Sequence, residues 1–268
     1  MTETKYIFIT GGASGIGREV ARYFAQRGWF VGLADVNRKG MEETAAMLPP
    51  GMSSIHPLDV RSREQWTTAL EAFAEKSSGK LHVLFNNAGV GIGGPLENHS
   101  EDDIEKLVDI NFKGVVYGAH IGHKYLKATP GSCLLNTSSA SGIYGSAGLS
   151  VYSATKFAVR GLTEALDIEW SLDNIRVRAL LPSFIDTPLL EGTPANSNQS
   201  IGASVTAAGL EIAPVSLVAE AAWNAVHDPK HVHSYVGPTA KRLAFAAKWM
   251  PGSIRKRGGL MVRESRGQ

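Results

Sequence analysis

Short apolar runs alternate with longer stretches of helical period along most of this chain. Tyr6-Ile7-Phe8-Ile9 reads as a strand, runs into the turn Thr10 to Gly17, and is followed by a helical pattern to about Arg27. Phe30 to Ala34 is a second strand, closed by Asp35. Met41 to Leu48 reads as helix, and Ser54 to Leu58 as a strand ending at Asp59-Val60. Arg63 to Lys76 is helical, and Leu81 to Phe85 is a strand ending at Asn86-Asn87-Ala88-Gly89. Ser100, with Asp103 three residues later, resembles a capping box opening a long helix to about Leu126. A strand around Cys133 follows, then a helix from Tyr152 to about Trp170, then a strand from Arg176 to Leu181 stopped by Pro182.

About six such alternations predict an α/β fold: a parallel sheet with helices on both faces. Ligands of such sheets lie outside the carboxyl ends of the strands. Gly11, Asp35, Asp59, Asn87 and Ser139 all stand at those ends. No internal repeat or linker precedes the last thirty residues. The organisation expected is one catalytic domain over residues 1–240, with a lid at about 187–214, and a C-terminal extension over 241–268.

With 268 residues and 43% apolar content, the chain is long enough to bury a full core. Met1 to Lys5 leaves no room for a secretory signal before the first strand, and no apolar run approaches membrane-spanning length, so a cytoplasmic protein is expected. The single Cys133 cannot form an internal disulfide and reads as a small core residue. Of eight histidines, His120/His123 and His231/His233 are the close pairs; neither has carboxylates or cysteine at ligand spacing, and no metal site is expected. The net charge of +2 hides an asymmetry: residues 241–268 carry eight basic side chains against Glu264, whereas the preceding 240 are net acidic.

Tyr152 and Lys156 lie four apart on a predicted helix and therefore share a face. Ser139, thirteen residues upstream, ends an apolar run. A phenol loses its proton near pH ~10 and is a poor base at neutrality. Lowering that value by about three units takes roughly 4 kcal/mol, about what one cation ~4 Å away supplies at an effective dielectric of ~20. Lys156 is expected to supply it.

Gly11, Gly15 and Gly17 follow a strand and open a helix, so bare backbone can approach a pyrophosphate at the helix N-terminus. Asp35, eighteen residues past Gly17, ends the second strand, where an acid binds a ribose 2′-hydroxyl and repels a 2′-phosphate. NAD is favoured over NADP on that ground, although Arg38 and Lys39 lie nearby and Ser14 supplies no cation. Asp59-Val60 suits an adenine ring, the carboxylate accepting from its amino group and Val60 covering a face; a solvated aspartate in a turn is the alternative. Asn111 shares a helix face with Ile104, Leu107, Val108 and Val115, so it points inward and needs hydrogen-bond partners.

Taken together, Thr10-Gly11 through Gly15-Ile16-Gly17, Asn86 to Gly89, Ser139 and Tyr152-x-x-x-Lys156 resemble the short-chain dehydrogenase/reductase family, over about residues 5 to 190. The resemblance implies a Rossmann-type doubly wound sheet, an NAD(P)-dependent oxidoreductase and a homodimer or homotetramer. It implies that Tyr152 is the general acid/base, that Lys156 lowers its pKa and holds the nicotinamide ribose, that Ser139 positions the substrate oxygen, and that Asn111 holds a relay water. Ser138 competes with Ser139, but the family's Ser-x-x-Gly matches Ser139-Ala140-Ser141-Gly142. The cofactor set implied is Gly11, Ser14, Gly15, Ile16, Gly17, Asp35, Asp59, Val60, Asn87, Tyr152, Lys156, Ile185 and Thr187. Pro182-Ser183 departs from the family's Pro-Gly, which bears on the geometry of substrate entry.

No lysine or arginine occurs between Arg178 and Lys230, nor in the loops Val90 to Asn98 and Ala140 to Val151. A phosphopantetheine or CoA substrate would want cations there, so a small, neutral, largely apolar alcohol or ketone is expected. Ile92, Ile143, Tyr144, Phe184, Leu189 and Leu190 are candidate walls, and Thr193 to Ser204 reads as the lid. Ser234 to Gly237 reads as the remnant of a final strand. Lys241 to Met250 alternates basic and apolar residues and is expected to end at Pro251. It could lie on an anionic membrane surface, making weak contact there, or pack its apolar side over the pocket or a neighbouring subunit. An NADP-preferring carbonyl reductase and a non-catalytic dinucleotide-sensing scaffold are the alternatives to an NAD-dependent alcohol dehydrogenase. The scaffold expects a broken Ser–Tyr–Lys set, and nucleic-acid binding through the tail lacks a recognised module.

Overall fold

The computed structural model describes residues 3–191, 200–207 and 209–265. Its frame is a seven-stranded, wholly parallel sheet in the order β3-β2-β1-β4-β5-β6-β7. The strands are β1 (Tyr6–Thr10), β2 (Phe30–Asp35), β3 (Ser53–Pro57), β4 (Val83–Asn86), β5 (Cys133–Thr137), β6 (Arg176–Pro182) and β7 (His233–Val236). The helices are α1 (Gly15–Ala25), α2 (Arg38–Ala46), α3 (Arg63–Ser77), α4 (Glu101–Val108), α5 (Gly114–Lys127), α6 (Ser150–Glu169), α7 (Ile201–Ala207), α8 (Ser216–His227), α9 (Pro238–Trp249) and α10 (Pro251–Ser265).

The period of two along each strand decides which core a residue joins. Ile7, Ile9, Val31, Leu33 and Leu135 point to the side covered by α1, α2 and α8, where Phe24, Met41 and Ala222 meet them. Phe8, Ala34, Leu84 and Leu134 point the other way, toward Trp66, Leu70 and Phe73 of α3 and Leu126 of α5. Both faces are covered, as the near-continuous apolar strands require. Cys133 is fully buried in the first of these cores.

The order turns around between β1 and β4, which opens a crevice at the carboxyl ends of the central strands. Gly11, Asp35, Asp59, Asn87 and Ser139 all lie along this end of the sheet.

Three expectations are corrected. The helix read from Ser100 to Leu126 is α4 and α5 joined by a π-turn over Asp109–Lys113. Ser100 does cap it, its Oγ accepting from the Asp103 N–H at 3.1 Å. The wider turn carries Asn111, fully buried, into the protein. Residues 234–237 are no remnant, because β7 pairs with β6 over four residues. α9 stops just before Pro251, where it was expected to end, and Pro251 then opens α10, the position where a missing N–H costs nothing. The helix read from Met41 begins at Arg38, because Asn37 Oδ1 accepts from the Gly40 N–H at 3.0 Å. Of the lid segment at 187–214, residues 192–199 and 208 lie outside the described residues.

Candidate active site

β5 ends at Thr137, and the two serines after it take different work. Ser138 is buried and donates to the Lys156 carbonyl at 2.8 Å. Ser139 starts a 3₁₀ turn, Ala140–Gly142, by accepting from the Ser141 N–H at 3.1 Å, and it stands near enough to Tyr152 to draw the phenol's pKa down. Ser139 is thus the serine beside the phenol.

α6 presents Tyr152 and Lys156 one turn apart on the face that meets this turn. Lys156 Nζ lies 5.5 Å from the centre of the Tyr152 ring. The ammonium is buried and donates to the Thr137 carbonyl at 3.0 Å. No carboxylate accompanies it among the described residues, and burial pushes its pKa down to about 8. Tyr152 departs from expectation. Burial holds its pKa above the ordinary phenol value, and Ser139 offsets only part of that. The desolvation of both groups, which four-residue spacing does not reveal, outweighs the help of one cation at this distance.

Asn111 is held at both ends. Its Oδ1 accepts from the Val90 N–H and its Nδ2 donates to the Val90 carbonyl, each at 2.8 Å. Each amide atom is engaged once, which leaves one Nδ2 hydrogen as a donor to a relay water. A methyl group on Gly89 would come within 3.2 Å of Asn111 Oδ1 and 3.5 Å of Lys156 Nζ, so Gly89 keeps the floor between them open.

The glycine loop is shaped by backbone that a side chain would block. Gly11 has φ +68°, and a Cβ there would meet Asn87 Nδ2 at 2.9 Å. At Gly17 a Cβ would fall 2.1 Å from the Gly11 carbonyl oxygen, so α1 can start only where it does. Gly15 faces Thr187, whose Cβ would lie 3.3 Å from an added methyl. Ser14 is exposed at the N-cap of α1 and makes no side-chain cap bond. Ile16 packs on the core. Ile185 is buried as well, so what it offers the crevice is backbone, and its carbonyl accepts from the Thr187 hydroxyl at 3.2 Å.

Asp35 closes β2 with Oδ2 accepting from the Ala13 N–H at 3.2 Å and Oδ1 from the Asn37 N–H at 2.9 Å. Two neighbouring guanidinium groups are engaged elsewhere: Arg18 on Glu43 and backbone carbonyls, Arg38 on Glu42. Asp59 is gripped by Arg61 through contacts of 2.6 to 3.1 Å, which hold its pKa below the usual carboxylate range. Val60 is buried against Gly114. The Asn87 side chain is spent on the protein, donating to the Thr10 carbonyl at 3.0 Å and accepting from the Thr137 hydroxyl at 3.2 Å. Thr10 and Thr137 were not singled out from sequence, yet they tie β1, β4 and β5 together here. A hydroxyl ending a buried strand beside a glycine or asparagine is the signal that could have found them.

A scan of family models matches residues 5–198 to the short chain dehydrogenase model. The chain belongs to the short-chain dehydrogenase/reductase family. Among curated relatives, meso-2,3-butanediol dehydrogenase of Serratia marcescens is 31% identical over 231 residues, covering 86% of this chain and 91% of that protein. A 3-alpha-(or 20-beta)-hydroxysteroid dehydrogenase of Mycobacterium tuberculosis is 33% identical over 196 residues, covering 73% of this chain and 75% of that one. A short-chain dehydrogenase/reductase of Burkholderia phymatum, solved in complex with NAD, superposes with a TM-score of 0.81 at 25% identity, covering 95% of each chain. An oxidoreductase on a Rossmann-type fold follows, with a nicotinamide dinucleotide as its cofactor. The dinucleotide fits the residues present: bare glycine backbone ahead of α1, a carboxylate at the end of β2, and a buried ammonium with donors to spare. Among the described residues no helix is long and apolar enough to cross a membrane.

Proposed function

We propose that this chain carries out reversible, NAD-linked hydride transfer between a neutral, largely apolar secondary alcohol and its ketone. The observation that carries the reading is Lys156: a buried ammonium beside a phenol, with no acid among the described residues to neutralise it. Such a group costs stability unless a ligand or a reaction uses it.

In the alcohol-to-ketone direction, Ser139 holds the substrate oxygen and Tyr152 takes the hydroxyl proton. In the reverse direction Tyr152, protonated at neutrality, gives its proton to the carbonyl oxygen. A nicotinamide held beside Tyr152 would supply the hydride acceptor in one direction and the donor in the other. Lys156 holds the nicotinamide ribose with the two donors that Thr137 leaves over, and its charge favours the tyrosinate when Tyr152 gives up its proton. Asn111 fixes the Val90 backbone and holds the relay water through its remaining Nδ2 hydrogen. Asp35 accepts from the adenosine ribose hydroxyls, and the engagement of Arg18 and Arg38 elsewhere supports NAD over NADP. Gly11, Ser14, Gly15, Ile16, Gly17, Asp59, Val60, Asn87, Ile185 and Thr187 complete the cofactor cradle.

On the substrate side, Leu189 lies against Gly91, whose Cβ would meet it at 3.4 Å, which supports an apolar wall. Ile143 is turned away from that role and packs with Ala179, Leu181 and Ala240. A homo-oligomer is proposed with this reading: Phe157 and Ile168 stand exposed about three turns apart in line along α6.

Reduced-nicotinamide absorbance on mixing with a panel of apolar secondary alcohols, NAD⁺ and NADP⁺ side by side, tests the proposal. Turnover with NAD⁺ is expected. A preference for NADP⁺, or for CoA thioesters over simple ketones in the reverse direction, would overturn it.

A further inference from the structure

α9 has two unlike sides. Inward, Ala240, Leu243, Ala244 and Ala247 pack on Ile143, Ala179, Leu181 and Tyr235. Outward, Lys241, Phe245 and Trp249 repeat every four residues, and Arg242 lies three before Phe245, so the four form one stripe. Phe245 is 61% and Trp249 63% exposed, and Met250 extends the stripe at 48%. These are large apolar surfaces left in water next to cations, although the same helix had smaller residues available for burial.

The charge is one-sided. No acidic residue occurs between Asp228 and Glu264. Lys241, Arg242, Lys248, Arg255, Lys256 and Arg257 form no ion pair among the described residues, whereas Arg160 and Arg38 on other helices pair with glutamates four residues on. The three basic residues at 255–257 are exposed at the start of α10, directly after the stripe.

We infer that the outer face of α9, continued by the basic start of α10, docks this chain onto an anionic lipid surface. Aromatic rings enter the headgroup boundary while neighbouring lysines and arginines hold lipid phosphates and carboxylates, the division of labour of an interfacial helix. A second copy of the chain is a poor occupant, because a two-fold contact would set one basic stripe against another. A nucleic acid would use the cations but gives Met250 and the apolar rings no apolar medium to enter. The docking does not depend on the reaction proposed above.

Sedimentation of the full chain with phosphatidylcholine vesicles, with and without about one-third phosphatidylserine, tests this. Binding is expected to the anionic vesicles alone and to weaken as salt is raised. Lys241→Glu with Arg242→Glu should cut the affinity by at least about tenfold, and Phe245→Ala with Trp249→Ala by a similar factor. Vesicles should shift the Trp fluorescence to the blue, and Trp249→Phe should remove the shift. Nicotinamide binding and vesicle-free turnover should stay at the level of the unaltered chain in all these variants, which shows that they are folded. Equal pelleting with neutral vesicles, no pelleting, tighter association with a DNA duplex than with anionic vesicles, or an oligomer that Phe245→Ala dissociates without change in vesicle binding would each overturn the inference.

Discussion

Asn87 and Lys156 both lean on Thr137, whose hydroxyl donates to Asn87 and whose carbonyl accepts from Lys156. Within the set Thr10, Asn87, Ala88 and Thr137 the polar groups are paired with one another, although the neighbouring Asn86 Oδ1 is buried without a partner. The Thr10 hydroxyl accepts from the backbone N–H of Asn87 and of Ala88, both at 3.0 Å, and the Asn87 amide returns to the Thr10 carbonyl. Around Lys156 they are not: a charge is held in the interior against one carbonyl oxygen. The first arrangement is what a fold does to hold three strand ends in register. The second weakens the fold, a cost that the role proposed for Lys156 beside a ligand and a reacting proton would explain. Two clusters of similar residue types, sharing one threonine, are thereby told apart by whether their hydrogen bonds are complete.

The largest effect should come on the unmatched side. Tyr152→Phe removes the proton-transferring oxygen and leaves the packing of the ring. Turnover should fall by about 10²–10⁴-fold while NADH still binds, as fluorescence titration would show. Substantial residual turnover would remove Tyr152 from its role. Because burial keeps Tyr152 protonated at neutrality, the two directions should also part with pH. Ketone reduction should be active at neutral pH, whereas alcohol oxidation should climb as pH rises and the phenol loses its proton. Rates in both directions across pH 6 to 10 check this.

A smaller effect should separate the cofactor's two ends. Asp35→Ser takes away an acceptor and a negative charge near the ribose. It should lower kcat/KM for NAD⁺ by about 10–100-fold, narrowing the gap to NADP⁺. Steady-state kinetics with both dinucleotides reads it, and an unchanged ratio would take Asp35 out of cofactor choice.

On the matched side the expected currency is stability. Thr10→Val leaves two N–H groups without their acceptor and should cost about 2–4 kcal/mol in denaturant unfolding, with Thr10→Ser recovering most of it. A cost below about 0.5 kcal/mol would mean that the network does not hold the strands.

The same contrast explains what could be read from sequence. Strands and helices announced themselves through period and punctuation, because burial on both faces of a parallel sheet leaves few polar interruptions. Gly11, Asp35 and Ser139 were legible by address, each at a strand end. Asn111 was legible as buried, but not its π-turn or its grip on Val90, which depend on a loop twenty residues away. Pro251 was legible as the stop of one helix but not as the start of the next, because its own neighbourhood does not say whether a second helix follows. The proton affinity of Tyr152 was misread for a related cause: spacing places Lys156 beside it but does not show how strongly each group is desolvated. Thr10 and Thr137 were passed over because their partners are assembled only when the strands pair.

The most direct test of the account is the stability of Lys156→Met against the unaltered chain as a function of pH. The folded pKa of Lys156, about 8, lies below the ordinary value of 10.5, so the unfolded chain binds its proton more tightly. That penalty is fully present below pH 8 and fades as pH rises toward 10.5. The account predicts a Lys156→Met variant about 1 kcal/mol more stable than the unaltered chain at pH 7, after allowing for the lost bond to Thr137, with the advantage gone near pH 10.5. A variant less stable at pH 7, or a difference that does not change with pH, would contradict it.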